Sequence, residues 1–128
     1  MRNKLIKNSP PNSNNIVYSI PCKECNKIYI GQTSKGLKVR CSQHKYALSR
    51  VLTNNGISDH WLKTGHAINW DNSGIICRAN DHHKRNLLET VFIEATCTRN
   101  FNLHPGLPLD PLTLSFLFKE HAAQIKKL

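Results

Sequence analysis

A small α/β domain, with a three-stranded and mainly antiparallel sheet flanked by helices, is the fold class this sequence predicts. Three observations predict it. Two short runs rich in β-branched and aromatic residues, Ile16 to Ile20 and Lys27 to Gly31, stand on either side of Pro21-Cys22-Lys23-Glu24-Cys25-Asn26, the signature of a hairpin. Two longer stretches, Leu37 to about Leu52 and Lys84 to Thr96, repeat their apolar residues near a 3.6 period, as amphipathic helices do. The length of 128 residues suits one domain, which at that size buries roughly two thirds of the surface of its unfolded chain.

The elements follow in order. Residues 1–15 are basic, carry two prolines and several asparagines and lack apolar periodicity, so they read as a flexible connector, with the domain proper at 16–128. After the hairpin, Leu37, Cys41, Ala47, Leu48 and Val51 form the stripe of the first helix, and Arg40 and His44 share another face one turn apart. Thr53-Asn54-Asn55-Gly56 ends that helix. Ser58 is the expected cap of a short one carrying His60, Trp61 and Leu62 up to Gly65. Ile75-Ile76-Cys77 is a third strand, and the helix from Lys84 to Thr96 packs through Leu87, Leu88, Val91 and Ala95. Three prolines and a glycine make Pro105 to Pro111 a loop. Leu112 to Leu128 is expected to be a last helix, with Phe116, Leu117 and Phe118 completing the core or making a self-contact.

Eighteen Lys and Arg against eight Asp and Glu give a formal charge of +10 and a pI near 9.7. Such a field attracts a polyanion, with nucleic acid the leading partner. Lys23, Lys27, Lys35, Lys38, Lys45 and Arg50 cluster around the turn and first helix as a candidate phosphate-facing band. Trp61 and Trp70 are expected to pack in the core or beside a metal, and His82 and His83 to lie on the surface. No apolar run reaches the roughly 20 residues of a membrane span, and no leader-like segment opens the chain, so a soluble, non-secreted protein is expected. An odd count of five cysteines argues against a complete disulfide framework and for reduced thiols.

Two constellations carry chemistry. Cys22 and Cys25 have the spacing of half a tetrahedral metal site, and His60 and His66 are candidates for the other half. The spacing alone also suits two surface thiols and two helix-end histidines. Because four protein ligands leave no open position, such a site is structural. The eight carboxylates are dispersed, so no Asp/Glu cluster suggests a two-metal centre. A one-metal mechanism with phenol and guanidinium assistance is easier to build from these residue types.

In order and spacing, Ile16-Val17-Tyr18, Tyr29-Ile30-Gly31, Arg40, His44, Glu89 and Asn102 resemble the GIY-YIG nucleases. Together with Cys22, Cys25, His60 and His66, they resemble specifically the endonuclease domain of Penelope-like retroelements. The likeness covers roughly Ile16 to Gly106, although the first motif lacks the glycine of the family name.

The resemblance implies a GIY-YIG fold with a CCHH zinc knuckle, structural Zn²⁺ on Cys22, Cys25, His60 and His66, and catalytic Mg²⁺ or Mn²⁺ on Glu89. It implies that Tyr18 orients or deprotonates the attacking water, that Tyr29 bonds in the same site, and that Gly31 allows close packing. Arg40 would hold phosphate oxygens, His44 would assist proton transfer or contact phosphate, and Asn102 would steady the site. The implied activity is phosphodiester hydrolysis that nicks DNA in the nucleus and leaves a 3′ hydroxyl. From that hydroxyl a reverse-transcriptase domain of the same polyprotein primes retroelement integration by target-primed reverse transcription. Two rivals stand beside this reading: a zinc-stabilised DNA-binding module without cleavage, and a repair or homing nuclease of the same superfamily.

Overall fold

The structure, a computed structural model, describes residues 14–50 and 55–128. Most of the expected connector, together with Val51, Leu52, Thr53 and Asn54, lies outside them. Strands β1 (Ile16–Pro21), β2 (Ile28–Thr33) and β3 (Gly74–Arg78) form one antiparallel sheet in the order β2-β1-β3. Around it lie α1 (Leu37–Ser49), α2 (Gly56–Thr64), α3 (His82–Ala95), α4 (Pro111–Glu120) and α5 (Ala122–Lys126), with a 3-10 turn at Trp70–Asn72. The fold class is therefore the expected small α/β domain. Among the described residues no helix is long and apolar enough to cross a membrane.

β1 is central, and its alternation fills both faces of the sheet. Ile16, Tyr18 and Ile20 point to one face, where they meet Ile57 of α2, Ile68, and the partly buried Leu37, Cys41 and Leu48 of α1. Val17 points to the other face and, with Ile28 and Ile30 of β2, packs on Leu88, Phe92 and Ile93 of α3. The antiparallel register sets Tyr18 opposite Gly31 and Ile20 opposite Tyr29, so the two tyrosines are diagonal neighbours on one face, with ring centroids 6.4 Å apart. Between Val17 and Tyr18 the pairing with β3 shifts by a residue: Val17 faces Cys77 and Tyr18 faces Ile75, a bulge that leaves Ile76 extra.

Several boundaries differ from expectation for physical reasons. Asn15, assigned to the connector, is anchored: its carbonyl accepts from Ala79 N at 2.8 Å. Asn55 rather than Ser58 caps α2, because the Asn55 side chain accepts from Ser58 N at 2.9 Å while the Ser58 hydroxyl is buried without a partner. α3 begins at His82 because Asp81 caps it, accepting from Lys84 N at 2.8 Å. The last helix breaks at His121 into α4 and α5. On α1 the only buried side chain is His44, not a member of the apolar stripe. Leu87 and Ala95 are only half-buried on α3, whose core face is instead Leu88, Val91, Phe92 and Ile93. Trp61, expected to pack in the core or beside a metal, is 39% exposed and so does not belong to the core.

Arg85 is the least expected member of the interior. Its guanidinium donates from Nε to Gln32 Oε1 at 2.8 Å and from Nη1 to the Ala79 carbonyl at 3.0 Å, which ties the start of α3 to β2 and to the end of β3. Its donors are therefore taken up by neutral acceptors, not by Glu89 one turn along. His82, expected to be a bystander, is exposed but lies 3.3 Å from Arg85 Nη2.

Candidate active site and metal centre

As an edge strand, β2 needs partners for its outward N–H and C=O groups, and the chain after α3 supplies them. Ile28 N donates to the Arg99 carbonyl at 2.9 Å and Phe101 N donates to the Ile28 carbonyl at 2.9 Å. Asn102 continues the ladder with its side chain: Oδ1 accepts from Ile30 N at 2.9 Å and Nδ2 donates to Ile30 O at 2.7 Å. This two-point clamp fixes Tyr29 and Ile30 beside an open cleft of about 320 Å³ at the sheet edge. Tyr29, Arg40, Glu89 and Asn102 all line it, with Asn55, Gly56, Leu103 and His104 completing the wall. Gly56 belongs there because a Cβ at that position would strike the Phe101 carbonyl. Sequence reasoning did not single out Gly56, Leu103 or His104: Gly56 opens α2 and the other two lie in an irregular segment, so none carries a periodic signal.

Tyr18 and His44 lie behind this cleft. Tyr18 Oη is 2.8 Å from His44 Nε2 and accepts from Arg40 Nε at 3.2 Å. Arg40 Nη1 also donates to Gln43 Oε1 at 2.9 Å. With five donors on a guanidinium, others remain for a ligand. Gly31 makes the arrangement possible, since a Cβ there would overlap the Tyr18 phenol. A Gly31→Ala variant is therefore expected to lose about 1–3 kcal/mol, the usual range for overpacking, and to displace the Tyr18–His44 pair. Chemical denaturation measures the loss, and wild-type stability in the variant would refute the overlap.

Burial dominates the electrostatics. It pushes the Tyr18 phenol well above its ordinary value, and Tyr29 adds to the rise while Arg40 opposes it. Tyr29 is raised in the same way, again with Arg40 opposing. His44 is pushed down to about 4 by burial and then by Arg40, which keeps the imidazole neutral. Glu89 is raised to about 7 by burial, with Arg40 pulling the other way. The single ion pair among the described residues joins Lys63 and Asp59 at 3.2 Å, so no cation lies within pairing distance of Glu89.

His44 carries a pH consequence. Its folded value of about 4 lies below the ordinary 6.5, so its neutral form contributes stability that is complete above pH 6.5 and is lost as pH falls toward 4. The span amounts to about 3 kcal/mol, at 1.36 kcal/mol per unit. We expect urea denaturation of a His44→Gln variant to show a pH slope shallower than wild type by about one proton between those limits. Parallel slopes would refute the burial of a neutral imidazole.

The second constellation assembles fully. The ligand-type atoms of Cys22, Cys25, His60 and His66 lie within 4.8 Å of one another, and the cluster could hold a metal ion such as zinc. Cys22 follows β1 directly, with its N–H bonded to the Lys27 carbonyl at 2.9 Å and its Sγ accepting from Glu24 N at 3.3 Å, which turns the chain back on itself. His60 comes from α2. Gly65, at φ 73°, then takes the left-handed conformation that ends the helix and returns His66 to the cluster.

Ligand lengths of about 2.3 Å for sulfur and 2.1 Å for nitrogen at tetrahedral angles put S and N about 3.6 Å apart. The observed pairs are 3.3 Å for Cys22–His60, 3.6 Å for Cys22–His66 and 3.7 Å for Cys25–His60. Burial raises the Cys22 thiol, eased by the Glu24 N–H, and lowers His60, helped by His66 and Lys27. The His60 ring stacks on Phe101 at 4.3 Å, and Phe101 in turn meets Tyr29 at 6.0 Å, which links the cluster to the cleft wall.

Comparison of the chain with family models, with curated proteins and with solved structures gave no match.

Proposed function

We propose that this protein is a metal-dependent DNA endonuclease of the GIY-YIG type, of the branch found in Penelope-like retroelements, with zinc on Cys22, Cys25, His60 and His66 as a structural ion. The observation that carries the reading is convergence. Tyr29, Arg40, Glu89 and Asn102 come from β2, α1, α3 and the segment after it, yet all open on one cleft with the Tyr18–His44 pair behind them. A module that only binds DNA has no need of a half-buried carboxylate facing an arginine.

Glu89 suits a hard cation because its carboxylate is pushed up to about 7 by burial and has no positive partner within pairing distance among the described residues. When bound there, Mg²⁺ or Mn²⁺ would supply Lewis acidity at a phosphate oxygen and neutralise charge on the phosphate. The remaining work belongs to the chain. Arg40, aimed by its bond to Tyr18, offers its free donors to the phosphate as negative charge builds up. Tyr29 lines the cleft, where its hydroxyl can orient the attacking water.

Tyr18 takes a different part from that implied by the resemblance. It is 0% exposed and its phenol is raised, so in this conformation it meets no water and its proton is held firmly. We assign it to positioning: it donates to the neutral His44 and accepts from Arg40, and so fixes the arginine. Asn102 holds β2 and with it Tyr29. Hydrolysis that leaves a 3′ hydroxyl would suit priming by a reverse transcriptase of the same polyprotein in the nucleus.

Supercoiled plasmid incubated with the zinc-loaded protein and Mg²⁺ or Mn²⁺ tests the proposal. Conversion to open circles, abolished when the divalent ion is withheld, supports it. Tight plasmid binding with no strand break overturns it in favour of a binding module.

A further inference from the structure

The opposite flank of α1 carries a second groove, of about 420 Å³, formed by Leu37, Lys38, Cys41, Lys45 and Trp70 with Asp71 at its rim. At about 100° per residue, Arg40 falls on the side of α1 that lines the cleft with Glu89 while Lys38, Cys41 and Lys45 line this groove, so α1 is a ridge between the two. Trp70 sits in the 3-10 turn, partly buried, and packs against the cluster that contains Tyr18. The Lys45 ammonium lies 5.5 Å from the centroid of its ring. Both lysines are exposed, and the chain carries a formal charge of +10.

We propose that this groove is a subsite for single-stranded DNA, in which an unpaired base stacks on Trp70 while the flanking phosphates lie on Lys38 and Lys45. The proposal extends the nuclease reading by naming how a strand is held beside the cleft. An aromatic face joined to two cations matches the two parts of a nucleotide: the ring takes the base whatever its identity, and the lysines take the backbone. An anionic peptide would use the lysines but leave the ring without a planar partner. Asp71 repels phosphate at its own rim, which confines the backbone to the α1 side. Lys45 rests over the ring and moves aside with the phosphate as a base enters, exchanging one cation–π contact for stacking and a charge pair.

The test uses a Trp61→Phe background, so that Trp70 is the only fluorophore of its kind. The probes are a short oligothymidylate and a phosphodiester chain of equal length and charge built from abasic sites. We expect the oligothymidylate to quench Trp70 fluorescence and to bind about tenfold more tightly than the abasic chain. Trp70→Leu, which keeps an apolar group against the core, should erase that preference, and Trp70→Phe should restore most of it. Equal affinity for both chains, an undiminished preference in the Leu variant, or equal competition by polyglutamate of the same charge would overturn the proposal. Because the readout is binding, it stands or falls separately from cleavage: stacking without nicking would refute only the nuclease reading.

Discussion

Removing the zinc proposed for the cluster of Cys22, Cys25, His60 and His66 is expected to lower the melting temperature by about 20 °C or more. Binding free energies of structural zinc run to about 10–16 kcal/mol in small metal-dependent folds, against total stabilities of about 5–15 kcal/mol for ordinary domains. This chain has a sheet core of its own, so we expect a loss of about 5 kcal/mol or more, which at about 4 °C per kcal/mol gives the stated shift. The loss has identifiable parts. Cys22 and His60 are buried, and without an ion they become poorly paired polar groups beside Ile68 and Phe101. The turn at 22–25 would then be tied to the segment after α2 by Lys23 N donating to the Ala67 carbonyl at 2.9 Å, by Ala67 N donating to Glu24 Oε2 at 2.6 Å and by Cys22 Sγ donating to the Ala67 carbonyl at 3.6 Å. Cys22→Ser should therefore cost more than His66→Ala, since His66 is half-exposed. Calorimetry of chelated and zinc-loaded protein, with metal content measured, decides the matter. An unchanged melting point after verified removal would refute a structural ion.

Glu89→Gln should reduce plasmid nicking on the order of a thousandfold or more while leaving the fold intact. On the proposed mechanism, the rate effect follows from losing the anionic ligand of the cation that would neutralise the scissile phosphate, a contribution of several kcal/mol. The fold survives because no described residue pairs with the Glu89 carboxylate within hydrogen-bonding distance, whereas the core contacts of α3 are made by Leu88, Phe92 and Ile93. Arg40→Lys should lower nicking about a hundredfold, since an ammonium cannot both donate along the Nε direction to Tyr18 and offer a fork to phosphate. Single-turnover rates at saturating protein separate these losses from weakened binding. Near-wild-type rates in Glu89→Gln, with its circular dichroism unchanged, would remove Glu89 from the chemistry and the proposed cation with it.

The two outcomes bear on each other through Phe101, whose ring lies between His60 and Tyr29.

The sequence by itself determined the elements whose cause is local. Alternating Ile, Val and Tyr residues made β1 and β2, a helical apolar period made α3, and the Cys22–Cys25 spacing marked half of the cluster that could hold a metal ion. Helix ends were legible only where one cap stood alone: Asn55 and Ser58 both satisfied the local rule, and the choice fell to Asn55 because Ser58 is drawn into the core. What the tertiary structure alone decided was which polar side chains turn inward and what they meet. Tyr18 is buried because β1 is the central strand, covered on both faces, and that burial raises its phenol. Arg85 was buried because the start of α3 crosses the end of β2, and Asn102 became a strand-edge clamp because β2 has no fourth strand beside it. These outcomes depend on partners up to 72 positions away along the chain. Propensity and periodicity act over a few residues, whereas burial and hydrogen-bond partnership are set by strand order and by how the layers close.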